Sequence, residues 1–265
     1  MPVEVVHFNP MRRRPGLSGR LRPRRPLTNF GDLIGPMLVA QIVSELGLRE
    51  PAENRRLVTV GSIMAKTKPG DVIWGTGVNG KNMDTGAAPH LDVRAVRGPR
   101  TREMLMSVGS LVPPVYGDPA LLWSRYWPRE YYLSSSPSVH LRPLTIVPNY
   151  NDAGTMDGPE VVSPLGVPHD VIRQIAASEF VCGSSLHAIV LAESFGIPAR
   201  LVRSKVEPPL KYDDYYMGTG RETYSVAECV EEAVAMGGER PPSFDIEALR
   251  SSFPADLYIN SPQAR

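Results

Sequence analysis

The segment Ser184-Ser185-Leu186-His187 sets two hydroxyls and an imidazole between a short apolar run and a helical pattern. A strand that turns into a helix through small polar residues leaves backbone N–H groups unpaired at the positive end of the helix dipole, a place for phosphate or carboxylate. His187 falls in the first helical turn of that pattern, within reach of such a ligand, and histidine moves protons near neutral pH. Two roles stay open for it: a proton-transfer group, or a histidine packed for structure. The five histidines, at 7, 90, 140, 169 and 187, are scattered. Neither a Ser-His-Asp set nor a metal-ligand cluster can be read from their spacing.

Three other segments carry chemistry-bearing side chains. Asn29-Phe30-Gly31-Asp32 precedes a helical pattern. Asp32 either caps that helix, its carboxylate accepting backbone N–H bonds, or joins Asn29 in meeting sugar hydroxyls. GTGVNGK, residues 75–81, resembles both G-x-G-x-x-G and a phosphate-binding loop. It lacks the Ser or Thr that should follow the lysine, since Asn82 stands there, and no helical pattern follows. It reads as a glycine-rich turn at a strand end, lining a cleft. KYDDYY, residues 211–216, packs one cation, two acids and three aromatics, which suits either an exposed helix start or contact with sugar.

The elements that must position these groups alternate. Apolar runs at residues 3–8, 57–60, 71–74 and 94–96 read as strands, with helices at 34–46, where Pro36 fits the first turn, and at 99–108. Residues 124–142 are rich in Tyr, Pro and Ser and read as a linker. Strands at 144–147, 180–182 and 199–203 then alternate with helices at 169–177 and 186–195, and two amphipathic helices close the chain at 226–236 and 246–253. Such alternation predicts an α/β fold with parallel sheets in two halves and a ligand cleft at the carboxyl ends of the strands.

Composition adds bounds. The net charge is +1, yet seven arginines (Arg12, Arg13, Arg14, Arg20, Arg22, Arg24 and Arg25) crowd one proline- and glycine-rich loop and leave the rest of the chain net negative. The prolines and glycines forbid a regular amphipathic helix there. The loop connects the first strand to the first helix, on the ligand side of such a fold. No nucleic-acid readout motif accompanies it, so nucleic acid is not the expected partner. Two cysteines, no apolar run long enough to span a bilayer, and a start without a signal-peptide layout predict a cytoplasmic protein.

Taken in order, NFGDLIGPML, VIWGTG, AVRGPRTREML, GDPALL, IVPNYND, SSLHAIVLAESFGIP and KYDDYY resemble the polysaccharide pyruvyl transferase family, in the branch of the succinoglycan and xanthan ketal-forming enzymes. The resemblance runs from Asn29 to Arg221. It implies two Rossmann-like halves in an arrangement like a GT-B glycosyltransferase, an acceptor-side half at residues 1–135 and a donor-side half at 136–265. It implies phosphoenolpyruvate as co-substrate, no further cofactor and no obligatory metal. It also implies a sugar or lipid-linked glycan acceptor that receives a pyruvate ketal. Where some relatives carry arginine before the Leu-His pair this chain has Ser185, and the family's Pro-His-Tyr is Pro148-Asn149-Tyr150.

On that reading His187 is the acid/base and Asp32 takes the proton of the attacking hydroxyl. Ser184, Ser185, Arg97, Arg100 and Lys211 hold the donor, since phosphate and carboxylate favour always-charged or fork-shaped partners. Arg97 and Arg100 can instead pair with Asp92 or Glu103. Asn29, Gly31, Asn79 and Tyr215 meet the acceptor. Residues 12–25 dock the protein on an anionic inner membrane face and on the acceptor's diphosphate. Two other activities share the architecture: a glycosyltransferase using a nucleotide sugar, and a sugar-binding protein without catalysis.

Overall fold

The computed structural model describes residues 3–12, 24–81, 90–134 and 140–260. Four short strands, β1 (Val3–Val6), β2 (Arg55–Val58), β3 (Val72–Trp74) and β4 (Asp92–Ala95), form a parallel sheet in that spatial order. Three more, β5 (Thr145–Ile146), β6 (Val181–Gly183) and β7 (Ala199–Leu201), form a second parallel sheet, again in chain order. β3, β6 and β7 are buried along their whole length; β3 reads as an unbroken apolar run, while β7 carries the buried Arg200, paired with Glu239 at 2.7 Å. The main helices are α1 (Phe30–Glu45), α2 (Pro99–Ser107), α3 (Pro168–Ala176), α4 (Leu186–Ser194) and α5 (Leu210–Gly218). The α/β class with parallel sheets is as the sequence predicts. Among the described residues, no helix is long and apolar enough to cross a membrane.

A single apolar cluster runs through both sheets. Val3, Leu57 and Trp74 of the first lie in it with Val147, Val181 and Leu201 beside and within the second, and Ile34 and Leu38 of α1 join them. The chain end returns to the first sheet: Trp74 donates its indole N–H to the Leu249 carbonyl at 3.0 Å, and Ile259–Asn260 pairs antiparallel with Leu48–Arg49.

Three expectations change. α1 starts a turn earlier than the apolar periodicity shows, because Asn29 takes an extended conformation as its N-cap, so Pro36 lies inside the helix rather than in its first turn. Residues 124–142 are not simply a linker. Short helices at Trp123–Tyr126 and Arg129–Leu133 bury Trp123 and Tyr132, and the Trp123 indole N–H donates to the Tyr132 hydroxyl at 3.1 Å. KYDDYY is not an exposed helix start either: Lys211, Tyr212, Asp214, Tyr215 and Tyr216 are all buried in α5. Of the arginine-rich loop, residues 13–23 lie outside the described residues.

A buried ion pair joins the end of the first sheet to α5. Arg97, just after β4, and Asp214, on α5, are both fully buried and meet at 3.0 Å. The Asp214 carboxylate also accepts from the Thr101 amide at 2.9 Å and its hydroxyl at 2.7 Å. Arg97 reaches onward to the Val78 carbonyl at 2.6 Å and to the Ser62 hydroxyl. The backbones approach so closely here that a side chain on Gly98 would overlap the Asp214 carbonyl, and one on Gly218 the Arg97 carbonyl. Removing one member of a fully buried, hydrogen-bonded pair strands the other charge. Asp214→Ala should therefore cost about 3–5 kcal/mol of unfolding free energy. A denaturant titration in which the variant loses less than about 1 kcal/mol would show that Arg97 finds another partner.

Candidate functional site

A cavity of about 380 Å³ opens where the carboxyl ends of both sheets converge. Its walls come almost entirely from segments that follow strands. Phe8 follows β1, Ser62 and Lys66 follow β2, and Asn79 and Lys81 follow β3; on the other side stand Asn149–Asn151 after β5, Ser185 and His187 after β6, and Glu207 and Lys211 after β7. Asn29 and Asp32 enter from the start of α1. Within each sheet, strands adjacent in the chain are adjacent in space. The ligand space therefore lies between the two sheets, not at a reversal of strand order inside one.

Six of the residues singled out by sequence line this cavity: Asn29, Asp32, Asn79, Ser185, His187 and Lys211. Gly31 stands behind it against His187, where an added side chain would overlap the imidazole. The others do not reach the cavity, each for a physical reason. Arg97 is committed to Asp214. Arg100 lies on the surface of α2 with Glu103, at 3.3 Å. Ser184 is fully buried, its hydroxyl donating to Asp152 at 2.7 Å and accepting from the Asn149 amide at 2.9 Å. Tyr215 is sealed in the core with its hydroxyl on Glu193. Asp32 is not the cap: Asn29 holds that position, and its side-chain amide donates to the Asp32 carboxylate at 2.7 Å.

Among the described residues, the cations that line the cavity are lysines. Lys211 is buried and Lys81 half-exposed, and both reach the same carboxylate, that of Glu207, Lys211 at 3.0 Å. Lys66 lies over the Phe8 ring, 4.9 Å from its centroid. Lys81 sits in the glycine-rich turn at 75–81, so that turn supplies a cation to the site rather than a nucleotide-binding loop. Sequence reasoning passed over Glu207 and Lys66. Nothing in their local pattern marks them, and Glu207 meets Lys81 across 126 positions.

His187 is partly buried, and its Nε2 is sealed from water with no hydrogen-bond partner among the described residues. Burial first, then the charges of Lys211 and Arg97, push its pKa down to about 3, so the imidazole is neutral at physiological pH. Asp32 moves the other way. Burial raises its pKa to about 6 against the Asn29 hydrogen bond and the nearby charges of His7, Lys211 and Lys66. A carboxyl poised there is ionised at neutral pH yet basic enough to take a proton. Lys211 is lowered by burial and supported by Glu207. α4 begins at this wall. Its first intrahelical bond is Ile189 N–H to the Ser185 carbonyl, so the amides before it have no intrahelical acceptor. The arrangement suits a small multiply charged oxyanion held by lysines and a helix end, beside one neutral imidazole and one basic carboxylate.

The shift of Asp32 fixes a sign. Between the unfolded pKa of 3.8 and about 6, the native state holds a proton that the unfolded chain has released. Its stability therefore falls as pH rises through that window and stays reduced above it. His187 works oppositely: the unfolded chain gains a proton below 6.5 that the native state refuses until about 3, so acidification costs stability there. Asp32→Asn isolates the first effect. It should be more stable than wild type by roughly 1–3 kcal/mol at pH 8, with the advantage gone below pH 4. A difference independent of pH would show that the carboxyl is not held in a costly state.

Comparison with known proteins places this geometry. The profile of the family described as polysaccharide pyruvyl transferase matches residues 58–205, a span that includes the turn at 75–81 and both Ser185 and His187. The succinoglycan biosynthesis protein ExoV of Rhizobium meliloti (strain 1021) is 29% identical over an alignment of 182 residues that covers 64% of this chain and 54% of that protein. The chain thus spans about half the length of the curated relative it matches. Among solved structures, an uncharacterized protein, KP1_0663 from Klebsiella pneumoniae subsp. pneumoniae NTUH-K2044, aligns over 71% of this chain and 83% of its own at 12% identity, with a TM-score of 0.46. With more than half of its length inside the family profile, the chain belongs to the polysaccharide pyruvyl transferase family.

Proposed function

We propose that the protein transfers pyruvate from phosphoenolpyruvate to a sugar of a polysaccharide, glycan or glycolipid and closes it as a ketal across two hydroxyls. The observation that carries this reading is the His187 imidazole, its Nε2 without a hydrogen-bond partner among the described residues, in a cavity whose described cations are lysines. The two halves, 1–135 and 136–265, take the acceptor and the donor respectively, in a GT-B-like arrangement. The donor's phosphate and carboxylate bind against Lys211 and the start of α4 in the second half, with Lys81 reaching across from the first, so that lysines take the part first assigned to Arg97 and Arg100.

In the first step a sugar hydroxyl adds to C2 of phosphoenolpyruvate and gives its proton to Asp32, while His187 delivers a proton to the vinyl carbon, which becomes a methyl group. His187 must be charged to do so. The anionic donor supplies the means, because its negative charge offsets Lys211 and raises the imidazole pKa. In the second step the other hydroxyl attacks the same carbon, gives its proton to the now neutral His187 and displaces phosphate, which leaves as inorganic phosphate. Neither step changes an oxidation state, so the reading calls for no redox cofactor, and it assigns no role to a metal.

Release of inorganic phosphate from phosphoenolpyruvate, dependent on a sugar acceptor, tests the reaction. Nucleoside diphosphate release from a nucleotide sugar would favour the glycosyltransferase alternative instead. His187→Ala should keep the fold and lower turnover by about 10²–10⁴-fold, the range of a lost general acid/base. Lys211→Met should raise the donor KM far more than the acceptor KM. Near-normal turnover in folded His187→Ala would remove the imidazole from the mechanism.

The reading extends to an anionic surface. Arg12, Arg24 and Arg25 are exposed, and the Arg12 guanidinium donates to the hydroxyl of Tyr150 on the cavity wall at 2.6 Å. The arm of residues 12–25 docks on an anionic membrane face and on the diphosphate of a lipid-linked acceptor, each arginine near that surface contributing on the order of 1 kcal/mol. Sedimentation with anionic vesicles should fall with salt and fall further when the seven arginines become glutamine. Equal, salt-insensitive binding by both proteins would end this part of the proposal.

A further inference from the structure

Glu207 is a carboxylate in a cavity built for anions. It stands after β7, its side chain 7% exposed. One oxygen, Oε1, takes Lys81 and, at 2.8 Å, the side-chain amide of Asn151; the other, Oε2, takes Lys211 at 3.0 Å. Lys81 comes from the first sheet's side of the cavity and Lys211 from the second's, so one carboxylate spans the gap between the walls. Burial alone would raise its pKa. The Lys211 charge and the hydrogen bonds from Lys81, Lys211 and Asn151 outweigh that and hold it at about 2, so it is ionised at any physiological pH.

An acidic side chain is a poor choice for a site that must take up an anion, unless it has a task while the cavity is empty. Without it, two ammonium groups would face each other with little solvent around Lys211, and like charges in such a place repel and lose protons. Its two oxygens present the lysines with what a phosphate or carboxylate presents: two acceptors of one planar or tetrahedral oxyanion. We infer that Glu207 is an internal stand-in for the anionic ligand, a positioning residue that holds Lys81 and Lys211 at oxyanion spacing in the empty protein and releases them to the incoming phosphate or carboxylate. It sets the donor affinity without touching the reacting atoms. The inference rests on the cavity being the anion site of the proposed function and adds a competitor to that site.

The test uses the full chain and inorganic phosphate as probe, so it does not depend on turnover. Glu207→Gln keeps the size of the side chain but removes the charge and turns one of its two acceptor oxygens into a donor. Without phosphate the variant should melt at a lower temperature than wild type. Added phosphate should raise its melting temperature more than it raises that of wild type, and calorimetry should show phosphate bound about tenfold tighter. A purely structural carboxylate predicts the same initial loss but no selective rescue by phosphate and weaker binding, and either of those results overturns the inference. Should the variant not fold even with phosphate, a crystal structure of the wild-type protein soaked in phosphate decides. Lys81 or Lys211 must leave Glu207 for the phosphate, and phosphate seated with both lysines still on Glu207 overturns the inference. Lys81→Ala separates the two ideas: if phosphate binding does not depend on Lys81, the anion-site reading itself fails, whatever Glu207 does.

Discussion

The buried pair of Arg97 and Asp214 is the constraint on which the rest of the site depends. It joins a residue just past the last strand of the first sheet to the middle of α5, and through Ser62 and Val78 it also fixes the segments that carry cavity residues after β2 and β3. Two charges at zero exposure are tolerated only with every hydrogen bond made, and here the Thr101 amide and hydroxyl complete the set. The requirement spreads to the backbone, because the approach leaves no room for a side chain at Gly98 or Gly218. Once α5 is held there, Lys211 has one place to go, into the cavity beside Glu207.

From that frame follows an electrostatic arrangement that moves the proton affinities of His187, Asp32, Glu207 and Lys211 away from their ordinary values. Burial and the cations make His187 neutral, burial makes Asp32 basic, and the lysines make Glu207 a permanent anion. The shifts oppose one another in charge, so the empty cavity holds both signs close together. An entering oxyanion disturbs all of them at once. It neutralises Lys211, which depresses His187, and it competes with Glu207. Ligand binding and proton readiness are thereby linked in one small volume, which is what a transfer that begins with protonation of a bound anion requires.

Much of this was legible in the sequence where the signal is local. Parallel strands buried on both faces tend to read as apolar runs, and the small polar turn at Ser184–Ser185 before an apolar helix marks the start of a helix that lies at the cavity wall. Asn29, Asp32, Ser185, His187 and Lys211, which the sequence singles out, all line the cavity. What stayed hidden depends on partners far along the chain. Arg97 looks like a donor clamp until Asp214, 117 positions away, is seen to claim it. The tyrosines of 211–216 look exposed until they are seen to be buried, the hydroxyl of Tyr215 on Glu193 and that of Tyr212 on the Ser184 carbonyl at 2.8 Å. Glu207 gave no signal, since a lone acid in a loop between β7 and α5 resembles any solvated residue. The aromatics of 124–142 misled because proline and serine around them carry the composition of a linker, while Trp123 and Tyr132 pack against one another and against His169.

The central claim is that these groups form one site for moving pyruvate from phosphoenolpyruvate to a sugar. Mass spectrometry of a panel of sugars and oligosaccharides, each incubated with the full chain and phosphoenolpyruvate, tests it most directly. The account predicts one class of acceptor that gains a pyruvate ketal, with one phosphate released per ketal formed and both lost in Lys211→Met. A glycosylated product formed from a nucleotide sugar, with no acceptor gaining pyruvate, would contradict it.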